Sequence, residues 1–133
     1  MARHLGEKVP APDLVLCSTA RRTRDTLPPF LAAWGLPLDP VVFSEELYLA
    51  GVSQLFDLVH GLPGESHSAL LVGHNPGFTD VLNLLTPPAF HEREIPPCGF
   101  FSLEFGGTRW ADLAPGGGRV TFALHPLALE ASL

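Results

Sequence analysis

The sequence has 133 residues, of which 46% are hydrophobic and 17% are charged, and its formal net charge is −6. This length fits one domain over 1–133, and the apolar content excludes an intrinsically disordered chain. No apolar run is long enough to span a bilayer, and the N-terminus has no stretch of the signal-peptide type. We therefore predict a single cytoplasmic domain that does not contact a membrane.

The charge is unevenly distributed along the chain. Residues 1–24 hold five basic and two acidic residues, whereas 25–133 hold three basic and twelve acidic residues. This pattern argues against a nucleic-acid partner, because a nucleic-acid backbone favours a broad basic face. The arginines at 21, 22 and 24 suit a small anion, since the planar guanidinium matches phosphate or carboxylate. A solvated helix face explains the same three arginines equally well.

Proline and glycine divide the chain into short segments with alternating strand and helix patterns. After the end of a helix over 2–9, the predicted elements are strand 13–18, helix 19–34, strand 40–43, helix 52–62, strand 69–74 and helix 76–85. Ser18 or Thr19 can cap the helix 19–34, which Pro28 and Pro29 should kink or interrupt. Asn75 can cap the helix that begins at Pro76.

The C-terminal third has a different pattern. Residues 99–105 and 119–124 resemble strands, and glycines at 106–107 and 116–118 predict turns. Two or three antiparallel or edge strands are expected there. The earlier alternation of strands and helices indicates a mostly parallel central sheet covered by helices on both faces, so the sequence predicts a three-layer α/β/α fold.

Cysteine and histidine give no sign of a disulfide framework or a metal site. Cys17 and Cys98 form no Cys-x-x-Cys pair, and Cys17 lies in an apolar run where a free thiol packs as a small hydrophobic residue. A reducing compartment is therefore expected. The histidines show no spacing typical of a zinc site, and they stand at positions 4, 60, 67, 74, 91 and 125.

Two predicted strands end in residues that can bind an anion. Ser18 ends the first strand, and Arg22 follows one helical turn later, near a helix N-terminus. His74 ends the third strand, also beside a helix N-terminus. Because ligands of open α/β sheets bind beyond the carboxyl ends of strands, these residues are candidates for a phosphate site. The alternatives are a salt bridge from Arg22 to Asp25 or Asp39 and a structural hydrogen bond at His74.

Segment 12–26, PDLVLCSTARRTRDT, resembles the second motif of the histidine phosphatase superfamily, also called phosphoglycerate mutase-like. In that motif a strand-end serine is followed by arginine after four residues and threonine after eight, here Ser18, Arg22 and Thr26. Segment 71–76, LVGHNP, is similar to the family's late Gly-His motif. The short chain, with no insertion between the motifs, looks most like the small SixA-type phosphohistidine phosphatases.

The resemblance implies a phosphoryl-transfer pocket. Arg22 and His74 would be the catalytic residues, Arg22 binding phosphate and His74 stabilising charge on the phosphoryl oxygens. Ser18 and Asn75 would also bind the phosphate. The family works through a covalent phosphohistidine on the enzyme, and no metal or organic cofactor is implied. The expected partner is a phosphohistidine-bearing signalling or phosphotransfer protein, or else a small phosphorylated substrate.

The family's attacking histidine lies in an Arg-His-Gly motif that ends a first strand, and we expect that this strand is missing. Arg3 and His4 are followed by Leu5, and the next strand begins at Asp13, too soon for an intervening loop and helix. We interpret Arg3 and His4 as surface residues. The chain could start at an internal methionine, be a fragment of a longer protein, or lack the nucleophile and bind phospho-ligands without catalysis. The otherwise intact pocket favours the first two explanations.

The sequence leaves the general acid and the substrate open. Glu45 or Glu46 could supply the acid, but we favour the interpretation that both are solvated, ahead of an apolar anchor at Leu47 and Tyr48. The alternative enzymatic function is a small-molecule phosphomonoesterase, and the alternative from another class is a non-catalytic phospho-ligand binding module. The sequence carries no signal for an oligomeric state.

Overall fold

The computed structural model of the protein describes residues 7–92, 94–96 and 99–124. These residues divide into two units, one made of 7–50 and 63–74 and the other of 51–62 and the described residues from 75 to 124. Arg3, His4, Cys98 and His125 lie outside the described residues. The expectation of one domain over 1–133 stays a prediction.

The first unit is built on a parallel sheet of three strands. Strands β1 (Leu14–Ser18), β2 (Val42–Ser44) and β3 (Ala69–Val72) lie in the order β2-β1-β3, with β1 in the centre. The segments just before β1 and β3 are also hydrogen-bonded, because Asp13 Oδ2 accepts from the backbone N–H of His67 at 2.9 Å. The sequence prediction of a mostly parallel sheet is confirmed for these strands.

Helix α1 (Arg21–Trp34) covers β1 with its apolar face. Leu27 and Leu31 are buried at helical spacing and pack with Val15 and Cys17 of β1, which are 7% and 0% exposed. This cluster also includes Val41, just before β2. Burial raises the pKa of the Cys17 thiol, as expected for a cysteine that serves as a core residue.

The start of α1 differs from the prediction. The helix begins at Arg21 after Ala20, and the side chains of Ser18 and Thr19 do not cap it. Thr23 instead ties the strand to the helix, because its hydroxyl donates to the carbonyls of Ser18 and Ala20 at 2.9 and 2.8 Å. A residue in the first turn of α1, and not a residue before it, therefore stabilises the turn between β1 and α1.

The prolines do not interrupt α1, which runs continuously through Pro28 and Pro29. Each proline lacks the N–H that would bond to the carbonyl four residues earlier, at Arg24 and Asp25. All four of these residues are exposed, so water can satisfy the two carbonyls. The helix ends at Gly35, whose φ of 67° reverses the chain in the left-handed region.

The second unit contains two packed helices and an antiparallel pair of strands. Helix α2 (Val52–His60) packs against helix α3 (Gly77–Leu85), with Leu55, Leu82 and Leu85 buried. Strands β4 (Phe100–Phe105) and β5 (Gly118–Leu124) pair antiparallel, as the sequence predicted. Gly118 must be a glycine, because a Cβ there would lie 2.9 Å from the carbonyl oxygen of Leu85.

Together these elements confirm the α/β class: a three-stranded parallel sheet, three α-helices and an antiparallel strand pair among the described residues. The predicted ends of elements were less accurate than their order. Helix α2 stops at His60 rather than residue 62, and β3 stops at Val72, two residues before His74. None of the described helices is long and apolar enough to cross a membrane.

Candidate functional site

The strands of the parallel sheet end side by side. In the register, Ser18 of β1 pairs with Ser44 of β2, and Cys17 of β1 pairs with Val72 of β3. The residues that follow each strand therefore leave the sheet at one edge, as the carboxyl ends of parallel strands must. His74 reaches this edge two residues after the end of β3.

Ser18 and His74 meet at this edge. The Oγ of Ser18 lies 2.8 Å from Nε2 of His74, although the residues are 56 apart in sequence. Ser18 is fully buried, at 0% exposure, and its Oγ also accepts the backbone N–H of Ala20 at 3.3 Å. His74 itself is only partly buried. The two residues that the sequence placed at separate strand ends thus form one hydrogen-bonded pair.

Tyr48 is a neighbour of His74 that the sequence analysis missed. Its ring contacts the His74 ring edge-to-face, with centroids 5.5 Å apart and an interplanar angle of 80°. Tyr48 is 51% exposed, so the interpretation of Leu47 and Tyr48 as a joint apolar anchor was wrong for Tyr48 and correct for Leu47, which is 1% exposed. The position of Tyr48, four residues after the end of β2 at the same edge, was the signal that could have indicated it.

The arginines at the start of α1 have different partners. Arg21 pairs with Asp25 at 3.8 Å, and the Arg24 guanidinium lies 5.0 Å from the centre of the Phe43 ring. Arg22 is exposed, and its guanidinium makes no hydrogen bond or ion pair with any other described residue. Its backbone carbonyl accepts the hydroxyl of Thr26 at 2.8 Å. The alternative of a salt bridge from Arg22 to Asp25 or Asp39 is not observed within the described ranges.

Asn75 belongs to the second unit, where its side chain is engaged in local hydrogen bonds. Its Oδ1 accepts from the backbone N–H and the hydroxyl of Thr79 at 3.2 and 2.7 Å, and its Nδ2 donates to the carbonyl of Ile95 at 2.6 Å. Asn75 therefore stabilises the first turn of α3 from the residue before the N-cap. The prediction that Asn75 is the N-cap was wrong, because the helix begins at Gly77 and Pro76 is its N-cap. A contact from Asn75 to phosphate stays a prediction.

Glu45 and Glu46 lie in a 3-10 helix, Glu45–Leu47, that follows β2 directly. The hydroxyl of Ser44 accepts the backbone N–H of Glu46 at 3.2 Å and caps this turn. Both glutamates are exposed, in agreement with the interpretation that they are solvated. Neither makes a side-chain bond to His74 or Arg22 among the hydrogen bonds and ion pairs of the described chain.

The other described histidines make hydrogen bonds away from the Ser18–His74 pair. The Nε2 atoms of His60 and His91 lie 2.6 and 2.9 Å from the carbonyl oxygens of Leu113 and Thr86. His67 is exposed and pairs with Asp13 only through its backbone N–H. Within residues 7–92, 94–96 and 99–124, no three His, Cys, Asp or Glu side chains gather in a group that could hold a metal ion.

Curated proteins of two mycobacteria are similar to most of this chain. No family model matches the sequence. An uncharacterized protein of Mycobacterium tuberculosis is 33% identical over 120 residues, which are 84% of this chain and 72% of that protein. Another from Mycobacterium leprae is 35% identical over 116 residues, which are 82% of this chain and 68% of that protein.

Solved structures share the fold. A candidate phosphohistidine phosphatase SixA from Nakamurella multipartitia is 30% identical and superposes with a TM-score of 0.72, covering 95% of this chain and 80% of its own. A candidate SixA phosphatase from Agrobacterium tumefaciens is 25% identical with a TM-score of 0.76, covering 94% of this chain and 75% of its own. A protein histidine phosphatase SixA complexed with tungstate, 20% identical with a TM-score of 0.74, shows the same fold over 96% of this chain and 78% of its own. With 30% identity across most of both chains, the protein belongs to the SixA-type family of histidine phosphatases.

Proposed function

We propose that this protein hydrolyses phosphohistidine on a signalling or phosphotransfer protein. The observation that carries the proposal is the pair of Ser18 and His74, with Oγ and Nε2 2.8 Å apart. Arg22 follows Ser18 by four residues, and its guanidinium has no partner among the described residues. The SixA phosphatases similar to this chain support the same substrate class.

Arg22 is the cation of this proposed site. It is the second residue of α1, where backbone N–H groups without helical partners also favour an anion. The flanking Arg21 and Arg24 are engaged with Asp25 and Phe43, whereas the Arg22 guanidinium has no partner among the described side chains. Its planar N–H fork can donate two hydrogen bonds to one phosphoryl group.

His74 contributes a second donor. Because Nε2 faces Ser18, the ring nitrogen left for a ligand is Nδ1, which has no hydrogen-bond partner in the described chain. An N–H at that position can stabilise the negative charge that develops on the phosphoryl oxygens during transfer. Arg22 and His74 therefore act as charge-stabilising groups in this proposal, and neither is the attacking atom.

The attacking group follows from the family resemblance. A histidine nitrogen of an Arg-His-Gly motif attacks phosphorus, the P–N bond of the substrate breaks, and the leaving imidazole takes a proton. Water then hydrolyses the phosphorylated enzyme and releases inorganic phosphate, which returns the attacking histidine. Residues 1–133 contain no Arg-His-Gly sequence, so this step needs a histidine from a further segment.

The positions of Glu45 and Glu46 favour phosphohistidine over a phosphate ester as the substrate, because neither side chain is held at the site as an acid. An alkoxide leaving group needs a positioned acid, whereas an imidazole leaves readily once it is protonated. Glu45 and Glu46 are exposed and make no bond to His74 or Arg22 in the described chain. A substrate whose leaving group needs little acid catalysis fits this arrangement better than a sugar phosphate.

The test compares two chains on two substrates. The 133-residue chain is compared with the same chain preceded by an added segment, made of an apolar strand that ends in Arg-His-Gly and the loop and helix that follow this motif in the family. Both are incubated with a phosphohistidine-bearing phosphotransfer protein or with glucose 6-phosphate. Release of phosphate is followed by phosphorus NMR. We expect only the longer chain to turn over, to prefer the phosphoprotein, and to be trapped as a phosphoenzyme on the added histidine.

Each other outcome identifies a different function. Preference for the sugar phosphate would support the small-molecule phosphomonoesterase. A stop codon directly upstream of Met1, together with oxyanion binding and no turnover, would support a phospho-ligand binding module. Robust turnover by the 133-residue chain that is abolished in His4→Ala would make His4 the nucleophile and contradict its interpretation as a surface residue.

A further inference from the structure

The hydrogen bond between Ser18 and His74 has a direction that burial decides. A serine hydroxyl has one proton to donate and two lone pairs that accept. The Ser18 Oγ already accepts from the backbone N–H of Ala20 at 3.3 Å, which uses one lone pair. Because Ser18 is 0% exposed, its proton needs an acceptor inside the protein.

His74 supplies that acceptor. Its Nε2 lies 2.8 Å from the Oγ of Ser18. Among the described residues, the Ser18 hydroxyl has no other hydrogen-bond acceptor. If Nε2 carried a proton and donated it to Ser18, the buried serine proton would be left without a partner, which is costly. In its neutral form the imidazole would therefore accept at Nε2 and carry its own proton at Nδ1.

We infer that Ser18 is a positioning residue for His74, which fixes the Nδ1–H tautomer of the ring and turns that N–H toward the ligand. Ser18 then acts through His74 and does not itself touch the phosphoryl group, in contrast to the expectation from the motif that it binds phosphate. The ring of Tyr48 also contacts the His74 ring, edge-to-face. The tautomer assignment is independent of the proposed function, whereas its consequence for the ligand rests on that function.

The tautomer can be measured directly. With the histidine rings labelled with nitrogen-15, long-range proton–nitrogen NMR shows which ring nitrogen is protonated, at a pH where the spectrum contains no charged ring. The His74 signals are assigned by their loss in His74→Asn. We expect the Nδ1–H form in the wild-type protein and a shift toward the Nε2–H form in Ser18→Ala, with tungstate affinity reduced roughly fivefold through loss of one net hydrogen bond.

Thr23→Val is the matched control. It removes a buried hydroxyl from the same turn, which bonds to the Ser18 carbonyl but not to His74. We expect this variant to keep the wild-type tautomer and tungstate affinity. If Ser18 had a purely structural role, Ser18→Ala would change the stability of the protein without changing the tautomer of His74.

The results separate this inference from the proposed function. An Nε2–H form of His74 in the wild-type protein, or an unchanged tautomer in a folded Ser18→Ala, would overturn the positioning role, and the wild-type measurement decides even if the variant fails to fold. A wild-type Nδ1–H form that is lost in Ser18→Ala supports it. If that pattern holds while the wild-type protein binds no tungstate, the tautomer assignment stands and the proposed phosphate site is contradicted.

Discussion

The ring of Tyr48 meets the ring of His74 edge-to-face, with the centroids 5.5 Å apart, and so joins the loop after β2 to the end of β3. Because the tyrosine in this pair is half-exposed, we expect the contact to contribute to stability at the lower end of the range for aromatic pairs. It also places a large, half-exposed ring next to the His74 ring.

Tyr48→Ala tests this contact. We expect the free energy of unfolding to fall by about 0.5 kcal/mol, as the aromatic pair is lost, and the ring protons of His74 to change their NMR shifts. Tyr48→Phe keeps the ring and should leave both quantities near the wild-type values. Urea denaturation and proton NMR measure the two effects, and unchanged His74 shifts in Tyr48→Ala would contradict the contact.

Leu49 adopts a backbone conformation that disfavours its side chain. Its φ is 55°, in the left-handed region, and it is 71% exposed, so little packing is lost when it is replaced by a residue that tolerates this region. We expect Leu49→Asn to raise the free energy of unfolding by about 0.5 kcal/mol. Leu38→Asn, at another exposed leucine outside the left-handed region, is the control in the same urea titration and should not stabilise the protein.

Arg22→Ala should weaken oxyanion binding strongly. Loss of hydrogen bonds to a charged group corresponds to about 1.5–3 kcal/mol, which we expect to see by calorimetry with tungstate or vanadate. Arg21→Ala removes the same charge from the neighbouring position, where the arginine pairs with Asp25 at 3.8 Å. That control, like Arg24→Ala, should bind the anion almost normally at moderate salt.

His74→Ala should weaken tungstate binding in the same way and leave the chain folded. His74 is only partly buried, so its removal opens no large cavity in the core. Circular dichroism checks the fold, and calorimetry checks the affinity. If Arg22→Ala and His74→Ala both bind tungstate as tightly as the wild-type protein does, the proposed anion site is wrong.

Asp112 gives a pH-dependent prediction in the loop before β5. Its carboxylate accepts backbone N–H groups of Arg109 and Thr108 at 3.0 and 3.1 Å, and these bonds, with the Arg109 guanidinium, lower its pKa below the ordinary value of 3.8. A lowered folded-state pKa means that the charged form stabilises the protein above the unfolded pKa. This contribution is lost as the pH falls through the lowered value.

Asp112→Asn isolates that effect, because the amide keeps the shape without the charge. We expect the wild-type protein to be more stable than Asp112→Asn at neutral pH, and the difference to shrink toward zero as the carboxylate becomes protonated below pH 3.8. Urea denaturation across this range measures the difference. A gap that widens on acidification would show that the sign of the linkage is reversed.

Local patterns in the sequence determined the order and type of the elements. The apolar run before Ser18 defined β1, the helical spacing of Leu27 and Leu31 defined α1, and the alternation after Gly99 defined β4. Each of these elements depends on residues close together in the chain, so periodicity and turn residues were sufficient to predict it. The prolines in α1 were the exception, because exposure to water let the helix continue through them.

Local sequence patterns identified the residues of the candidate site but not their contacts. The sequence by itself identified Ser18, Arg22 and His74, since each follows a strand within a recognisable motif. Only the tertiary structure decided that the Ser18 hydroxyl meets Nε2 of His74, that Asp25 pairs with Arg21 rather than Arg22, and that Tyr48 lies against the His74 ring. Strand register, burial and side-chain direction bring these groups together, and such quantities depend on residues far apart in the chain.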